Sequence, residues 1–237
     1  GKLNPFIRLL MPLLVPHQRQ LDLEAAKQVD VFIANSTETQ KRIKKYYSRS
    51  STVIHPPVET SRFTPARKRG DHYVTIGRQL PYKRYDLAVK AATKLNKKLI
   101  VFGNGPAHDQ LVKIAGPTVE FRTDRFGDAS DAEYEKAITT ARGFIYPAEE
   151  DFGIVSVEAL AAGAPVIGLA RGGTTDIVTS PDIGTLFHHQ TVDDVVKAVE
   201  IAEQTSFHPS KLARTAKRFD KGLFLTKIKK VVRDSIS

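Results

Sequence analysis

Between residues 72 and 187, short apolar runs alternate with helix-length segments, and this rhythm constrains the fold more than any single motif. The runs at 72–77, 98–102, 118–121, 143–146, 165–169 and 184–187 carry β-branched, Leu and aromatic side chains, as strands do. Segments with helical patterning lie between them at 85–95, 107–114, 131–141 and 154–162, and a short one follows Gly172-Gly173. Strands alternating with helices of this length form βαβ units, because each crossover returns the chain to the same end of a parallel sheet. The expected fold class is α/β, a Rossmann-like parallel sheet flanked by helices, with right-handed crossovers. Helices at 192–204, 209–218 and 221–235 complete the carboxyl-terminal side.

The first 70 residues read differently. A helix is expected over 5–28 with breaks near Pro12 and Pro16, since proline lacks the N–H that an interior helical position needs. Its second half is amphipathic, with Leu21, Ala25, Gln28 and Val29 near one face. A strand at 30–34, a helix at 38–47 that Ser36 or Thr37 can cap, and a strand at 51–54 follow. His55-Pro56-Pro57 ends regular structure, and the polar, basic stretch up to residue 70 reads as a linker. The division is 1–54 as a remnant of one domain, 55–70 as linker and 71–237 as a second domain with its carboxyl-terminal helices.

Charge narrows the partners. The chain carries 36 Lys and Arg against 26 Asp and Glu, a net +10. The cations cluster at Lys41–Arg49, at Arg67-Lys68-Arg69 and from Lys211 to Arg233. A solvated basic face, a phosphorylated ligand and an anionic membrane surface all explain such clusters. Nucleic acid is not expected, because no recognition module accompanies the charge. There is no cysteine, hence no disulfide, thiolate metal site or cysteine nucleophile, which fits a cytoplasmic setting. No apolar run is long enough to span a bilayer, and no cleavage site follows residues 6–15, so a signal peptide is not expected. The start at Gly1 reads as an engineered or processed piece. Phe6, Ile7, Leu9 and Leu10 beside basic residues, with the basic carboxyl-terminal helix, suggest peripheral contact with a membrane.

Chemistry is expected where loops leave the carboxyl ends of strands. The richest stretch is Pro147-Ala148-Glu149-Glu150-Asp151-Phe152-Gly153-Ile154, which joins a strand to the start of an Ala-rich helix. That helix start offers unpaired N–H groups to an anion. Glu150 and Glu158 flank it, either facing one bound molecule or, alternatively, serving as dipole caps and solvated positions. Arg78 and Lys83, in a loop opened by Gly77, are two cations suited to a diphosphate. Gly103-Asn104-Gly105-Pro106 and Gly172-Gly173 are further turns at the same sheet edge. No P-loop, full dinucleotide fingerprint, Gly-x-Ser-x-Gly elbow or metal-type histidine pair is present.

In this order and spacing, Gly77-Arg78 with Lys83, Phe102-Gly103-Asn104-Gly105-Pro106, Glu150 and Glu158 within Glu-Asp-Phe-Gly-Ile-x-x-x-Glu-Ala, and Ala162-Gly163-Ala164-Pro165 with Gly172-Gly173 resemble the retaining family 4 glycosyltransferases of the GT-B fold. The match runs over about 30–235. The longer stretches from Arg78 to Val89 and from Glu149 to Ile154 look most like its mannosyltransferase branch. The resemblance implies a donor-binding domain that transfers a hexose, mannose from GDP-mannose or a sugar from a UDP-sugar, to a lipid-linked or glycan acceptor, without metal or other cofactor. It gives Glu150, Arg78 and Lys83 catalytic roles. It gives Gly77, Arg78, Lys83, Gly103, Gly105, Thr123, Glu150, Phe152, Gly153, Ile154 and Glu158 contacts with the donor, Thr123 beside the base and Glu158 on the ribose. Two departures stand out. Only the last pieces of the amino-terminal acceptor domain are present, so the rest would come from elsewhere, another chain included, or the chain binds nucleotide sugar without turnover. The stretch 121–130 is also longer and more charged than the family's usual short turn.

Overall fold

The computed structural model describes residues 5–122 and 131–236. Six strands form one all-parallel sheet: β3 (His72–Ile76), β4 (Lys98–Phe102), β5 (Val119–Arg122), β6 (Gly143–Tyr146), β7 (Val166–Leu169) and β8 (Gly184–Phe187), in the order β5-β4-β3-β6-β7-β8. The central strands β6 and β7 are buried at every position, as strands covered on both faces must be. Helices α3 (Tyr85–Lys94), α4 (His108–Ile114) and α8 (Val192–Gln204) cover one face, where Leu87, Val89, Leu111 and Val195 pack on Leu99, Val101 and Ile167. Helices α5 (Asp131–Thr140), α6 (Ile154–Ala161) and α9 (Pro209–Ala216) cover the other, where Ile138, Leu160 and Leu212 meet Val74, Ile76 and Phe144. The expected α/β class, with its parallel sheet flanked by helices, is the observed one. The short α7 (Thr174–Ile177) and the long last helix, α10 (Lys221–Ile236), complete it.

The amino-terminal unit stands apart in the sheet plan. Strands β1 (Phe32–Ala34) and β2 (Ser51–Val53) pair in parallel with each other alone, with α2 (Thr37–Tyr47) as their crossover. Ser36 caps α2 by accepting the Thr39 amide, as the sequence indicated. The helix α1 (Pro5–Lys27) corrects an expectation: it runs through Pro12 and Pro16 without a break. Both prolines lie in a helix whose described side chains are mostly exposed, so water can take the two carbonyls left without an amide partner. The expected apolar face of its second half is exposed too, with Leu21 and Val29 open to solvent.

Within residues 55–70, two residues are tied to the core. Val58 bonds through its backbone to Phe219 and Lys221, and Val58 and Phe63 are buried in the core beneath α6 and α9. The basic clusters also prove uneven. Arg69 is turned inward, and its guanidinium donates to the carbonyls of Thr139, Ala141 and Ala162 at 2.8–3.2 Å. Burial lowers its pKa to about 10. Arg49 likewise donates to the carbonyls of Val29 and Asp30 beyond the end of α1. Such residues hold the chain's own backbone, so formal net charge overstates what is open to a partner.

Candidate functional site

The strand order places the site. From β3 the chain builds outward through β4 and β5, then returns to lay β6 against the other side of β3 and builds outward again through β7 and β8. The loops after β3 and β6 therefore diverge, which opens a crevice beyond their carboxyl ends. A cavity of about 510 Å³ lies there. Gly77, Tyr82 and Lys83 line it from the loop after β3. Tyr146 and the run from Glu149 to Val155 line it from β6 and its loop. Asn35 and Pro56 close it from the amino-terminal unit.

Its electrostatic centre is an ion pair. Lys83 Nζ lies 2.9 Å from Glu150 Oε1, with both side chains largely buried, and the Tyr82 hydroxyl donates to the same oxygen at 3.2 Å. A tight helical turn over Pro81–Lys83 brings Tyr82 and Lys83 to one carboxylate. Partial burial strengthens this pair relative to a surface one, because fewer solvent dipoles screen it. The Tyr146 phenol is pushed far up, by burial first and then by the field of Glu150. Burial and then Glu150 also raise Tyr82. Both phenols therefore stay neutral hydroxyls at any ordinary pH.

Beside the pair, α6 begins at Gly153. The amides of Gly153, Ile154 and Val155 have no acceptor among the described residues, while Ser156 N–H closes back on the Gly153 carbonyl at 2.9 Å. Three free donors at a helix start, next to a lysine, make a place for negatively charged oxygen. Glu150 adds an acceptor for hydroxyl groups at the same wall.

Glycines hold the loops in place by close backbone approach. Gly103, at φ +99°, packs on the Gly77 carbonyl so tightly that a Cβ would overlap it, and Gly105 does the same to the Gln79 backbone. The Gln79 amide donates to the Asn104 carbonyl at 2.9 Å and its own carbonyl accepts from Ala107 at 3.0 Å. Its fully buried side chain donates to the Gly103 carbonyl and meets the His108 ring. On the other wall Gly172, at φ +62°, lies against the Glu150 carbonyl, which accepts the Gly173 amide at 2.9 Å. Thus the turn at Gly172-Gly173 fixes the backbone that aims Glu150.

The amino-terminal unit is tied to the same loop. Arg42 on α2 pairs with Asp151 at 2.6 Å, and the Thr37 amide donates to Asp176 at 2.7 Å. The His55 ring stacks on Phe152, with centroids 5.2 Å apart.

The structure brings together part of the sequence-derived set: Gly77, Lys83, Glu150, Phe152, Gly153 and Ile154 all line the cavity. Gly103 and Gly105 do not; their lack of a side chain serves the contact with the loop after β3. Arg78 is exposed and also lies outside that lining. Glu158 sits in the second turn of α6, half-buried, and accepts from the Tyr134 hydroxyl at 2.8 Å. It is not among the described lining residues, so it and Glu150 do not share this cavity's wall. Thr123 falls outside the described residues. Gln79, Tyr82, Asn35 and Pro56 were missed. Tyr82 stood beside Lys83 in the sequence, but only the turn geometry aims both at Glu150.

These features have counterparts among known proteins. The chain belongs to the family described as "Glycosyl transferases group 1", whose sequence profile matches residues 58–219, more than half of the chain. It is 27% identical over 199 residues to the D-inositol 3-phosphate glycosyltransferase of Mycobacterium leprae (strain Br4923), covering 75% of this chain and 46% of that protein. The namesake from Mycolicibacterium gilvum (strain PYR-GCK) is 27% identical over 218 residues, 81% and 48% of the two chains. The chain thus spans about half the length of the curated relatives it matches. In fold it resembles sucrose-phosphate synthase from Thermosynechococcus elongatus, with a TM-score of 0.76 over 92% of this chain and 61% of that one, at 19% identity. It resembles Anabaena HepE in complex with UDP and glucose equally, at 0.76 over 92% and 67%, with 18% identity.

Proposed function

We propose that this chain is the donor-binding half of a retaining family 4 glycosyltransferase that takes a hexose from a nucleoside-diphosphate sugar. The observation that carries this reading is the pairing of Lys83 with Glu150 beside the free amides at the start of α6, in one cavity at the switch point of the sheet. A diphosphate needs cationic and N–H donors, and a hexose needs hydroxyl acceptors; the cavity offers both within one wall. Lys83 would turn from Glu150 to the diphosphate and stabilise charge as it develops on the leaving group, the usual large contribution in such transfers. Glu150, released, would accept hydrogen bonds from the sugar. Arg78 would reach the phosphates from the rim, and Glu158 would hold the ribose.

The narrower reading is mannose from GDP-mannose, supported by the residues from Arg78 to Val89 and from Glu149 to Ile154. UDP-sugars remain the competing donors, since HepE holds UDP and glucose. A thermal-shift panel of GDP-mannose, UDP-glucose and UDP-N-acetylglucosamine decides between them, because binding to the folded state raises its stability by mass action. No shift with any of them would sink the donor reading.

A second reading is nucleotide-sugar binding without turnover, which needs the donor cavity and no acceptor surface. On the first reading, residues 1–54 are the end of an acceptor domain whose remainder supplies the glycan or lipid-linked acceptor site. Incubation with the bound donor and such an acceptor separates the two: product or slow donor hydrolysis favours the enzyme, and binding alone favours the module. Among the described residues no helix is long and apolar enough to cross a membrane. Peripheral contact at the inner membrane face would use the exposed Ile7, Met11, Leu13 and Leu14 of α1. Failure to sediment with anionic vesicles at low salt would rule it out.

A further inference from the structure

A second concavity lies at the opposite pole of the sheet. Gly163 precedes β7 and is wedged between Pro65, which precedes β3, and Pro209, the first residue of α9. All six strands are parallel, so these amino-terminal approaches share one pole, away from the cavity at the carboxyl ends. Pro65 and Pro209 wall a trough of about 530 Å³, with Ala213 at its side and with Arg67, Arg214 and Lys217 around it. The volume falls within the range of small-molecule sites, and the prolines make the shape rigid.

Two of the three charges here are unmatched. Arg67 and Arg214 have no ion-pair partner among the described residues, and no carboxylate lines the trough. Arg214, in the last turn of α9, and Lys217, its C-cap, lie three residues apart at the negative end of the helix dipole. Asp220 borders the adjoining cavity beside Lys217; its carboxylate accepts from the Thr60 hydroxyl at 2.6 Å and the Gly222 amide at 2.9 Å, and these bonds, with the charge of Lys217, hold it below its ordinary value. Elsewhere on α9, Lys211 pairs with Asp182. All three cations are open to solvent at the rim of the trough, where a ligand can reach them.

We propose that this trough binds the phosphate group of a small phosphorylated molecule, with Arg67 and Arg214 as forked donors, Lys217 as a third cation, and the prolines and Ala213 against its uncharged body. The site is separate from the sugar-donor cavity and does not depend on the function proposed for it.

Inorganic pyrophosphate titrated into the ¹⁵N-labelled chain, followed amide by amide, is the test. The expected result is saturable shifts at Ala66 to Lys68 and at Ser210 to Lys217. Affinity at those amides should fall roughly tenfold or more in Arg67→Ala/Arg214→Ala and stay unchanged in Lys83→Ala, as loss of charge-assisted hydrogen bonds at one site requires. Shifts confined to Gly153 to Val155, or shifts at the trough that the double variant leaves intact, would overturn the proposal. Vesicles of phosphatidylserine and phosphatidylcholine form a second arm. Sedimentation that the double variant abolishes, without trough shifts from pyrophosphate, would assign the cations to a lipid surface and likewise overturn it.

Discussion

The cavities at the two poles of the sheet are lined by positive charge in different ways. At the carboxyl ends of β3 and β6, Lys83 is held by Glu150, and Arg42 by Asp151. At the amino ends, Arg67, Arg214 and Lys217 surround a trough that contains no acid. A matched site exchanges partners when a ligand arrives, so its net gain is the difference between two good interactions. An unmatched site gains the whole interaction but depends strongly on salt, because its cations face open solvent. The same contrast exists within three residues: Arg67 faces the trough, whereas Arg69 is sunk among three backbone carbonyls.

The largest expected effect breaks the matched pole. Gly172→Val would drive a side chain into the Glu150 carbonyl at a backbone angle that β-branched residues avoid. It should cost about 3 kcal/mol or more in urea unfolding, and nucleotide-sugar binding should go with it. An unchanged midpoint would mean that this turn does not hold Glu150. Next comes Arg69→Met, which leaves three carbonyls short of a donor and should cost about 2–3 kcal/mol, against a change within about 0.5 kcal/mol for Arg67→Met. Equal losses in the two would erase the distinction between inward and outward cations.

Smaller effects sharpen the comparison. Lys83→Ala should weaken nucleoside-diphosphate binding by roughly 1.5–3 kcal/mol, the worth of a hydrogen bond to a charged group, as read by calorimetry. Unaltered affinity would remove Lys83 from the phosphate role. Tyr82→Phe should cost about 0.5–1.5 kcal/mol in binding of the intact sugar donor, and less for the free nucleotide, since its hydroxyl touches Glu150 rather than the lysine. The smallest concerns α9 itself. Lys211 and Ser180 hold the exposed Asp182 carboxylate down to about pKa 2. Because that value lies below the unfolded one, any stability from the contact is fully present above the unfolded pKa and fades as pH falls towards 2. Carboxylate NMR that places Asp182 at its ordinary value would show the α9 cations to be unmatched throughout.

Much of the site was legible because loops after parallel strands must gather at one edge, and Lys83, Glu150 and Gly153 lie in such loops. Gly103 and Gly105 lie outside the cavity's lining for a definite reason. A glycine that admits a ligand and one that admits another backbone have the same sequence signature, and here the other backbone is that of Gly77 and Gln79. Gln79 escaped notice because a buried amide is distinguished only by the four groups around it, all of them distant in sequence or main-chain.

The sequence by itself determined the periodicity: apolar strands, helix lengths and turn residues, hence a parallel α/β sheet and the edge where the candidate site lies. These are local properties, set by side-chain pattern and backbone freedom within about ten residues. Tertiary structure alone decided which charges meet. It put Lys83 on Glu150, gave Glu158 to Tyr134, sank Arg69 and left Arg67 in the open. An ion pair depends on distance in space and on the solvent excluded around it, and chain order specifies neither.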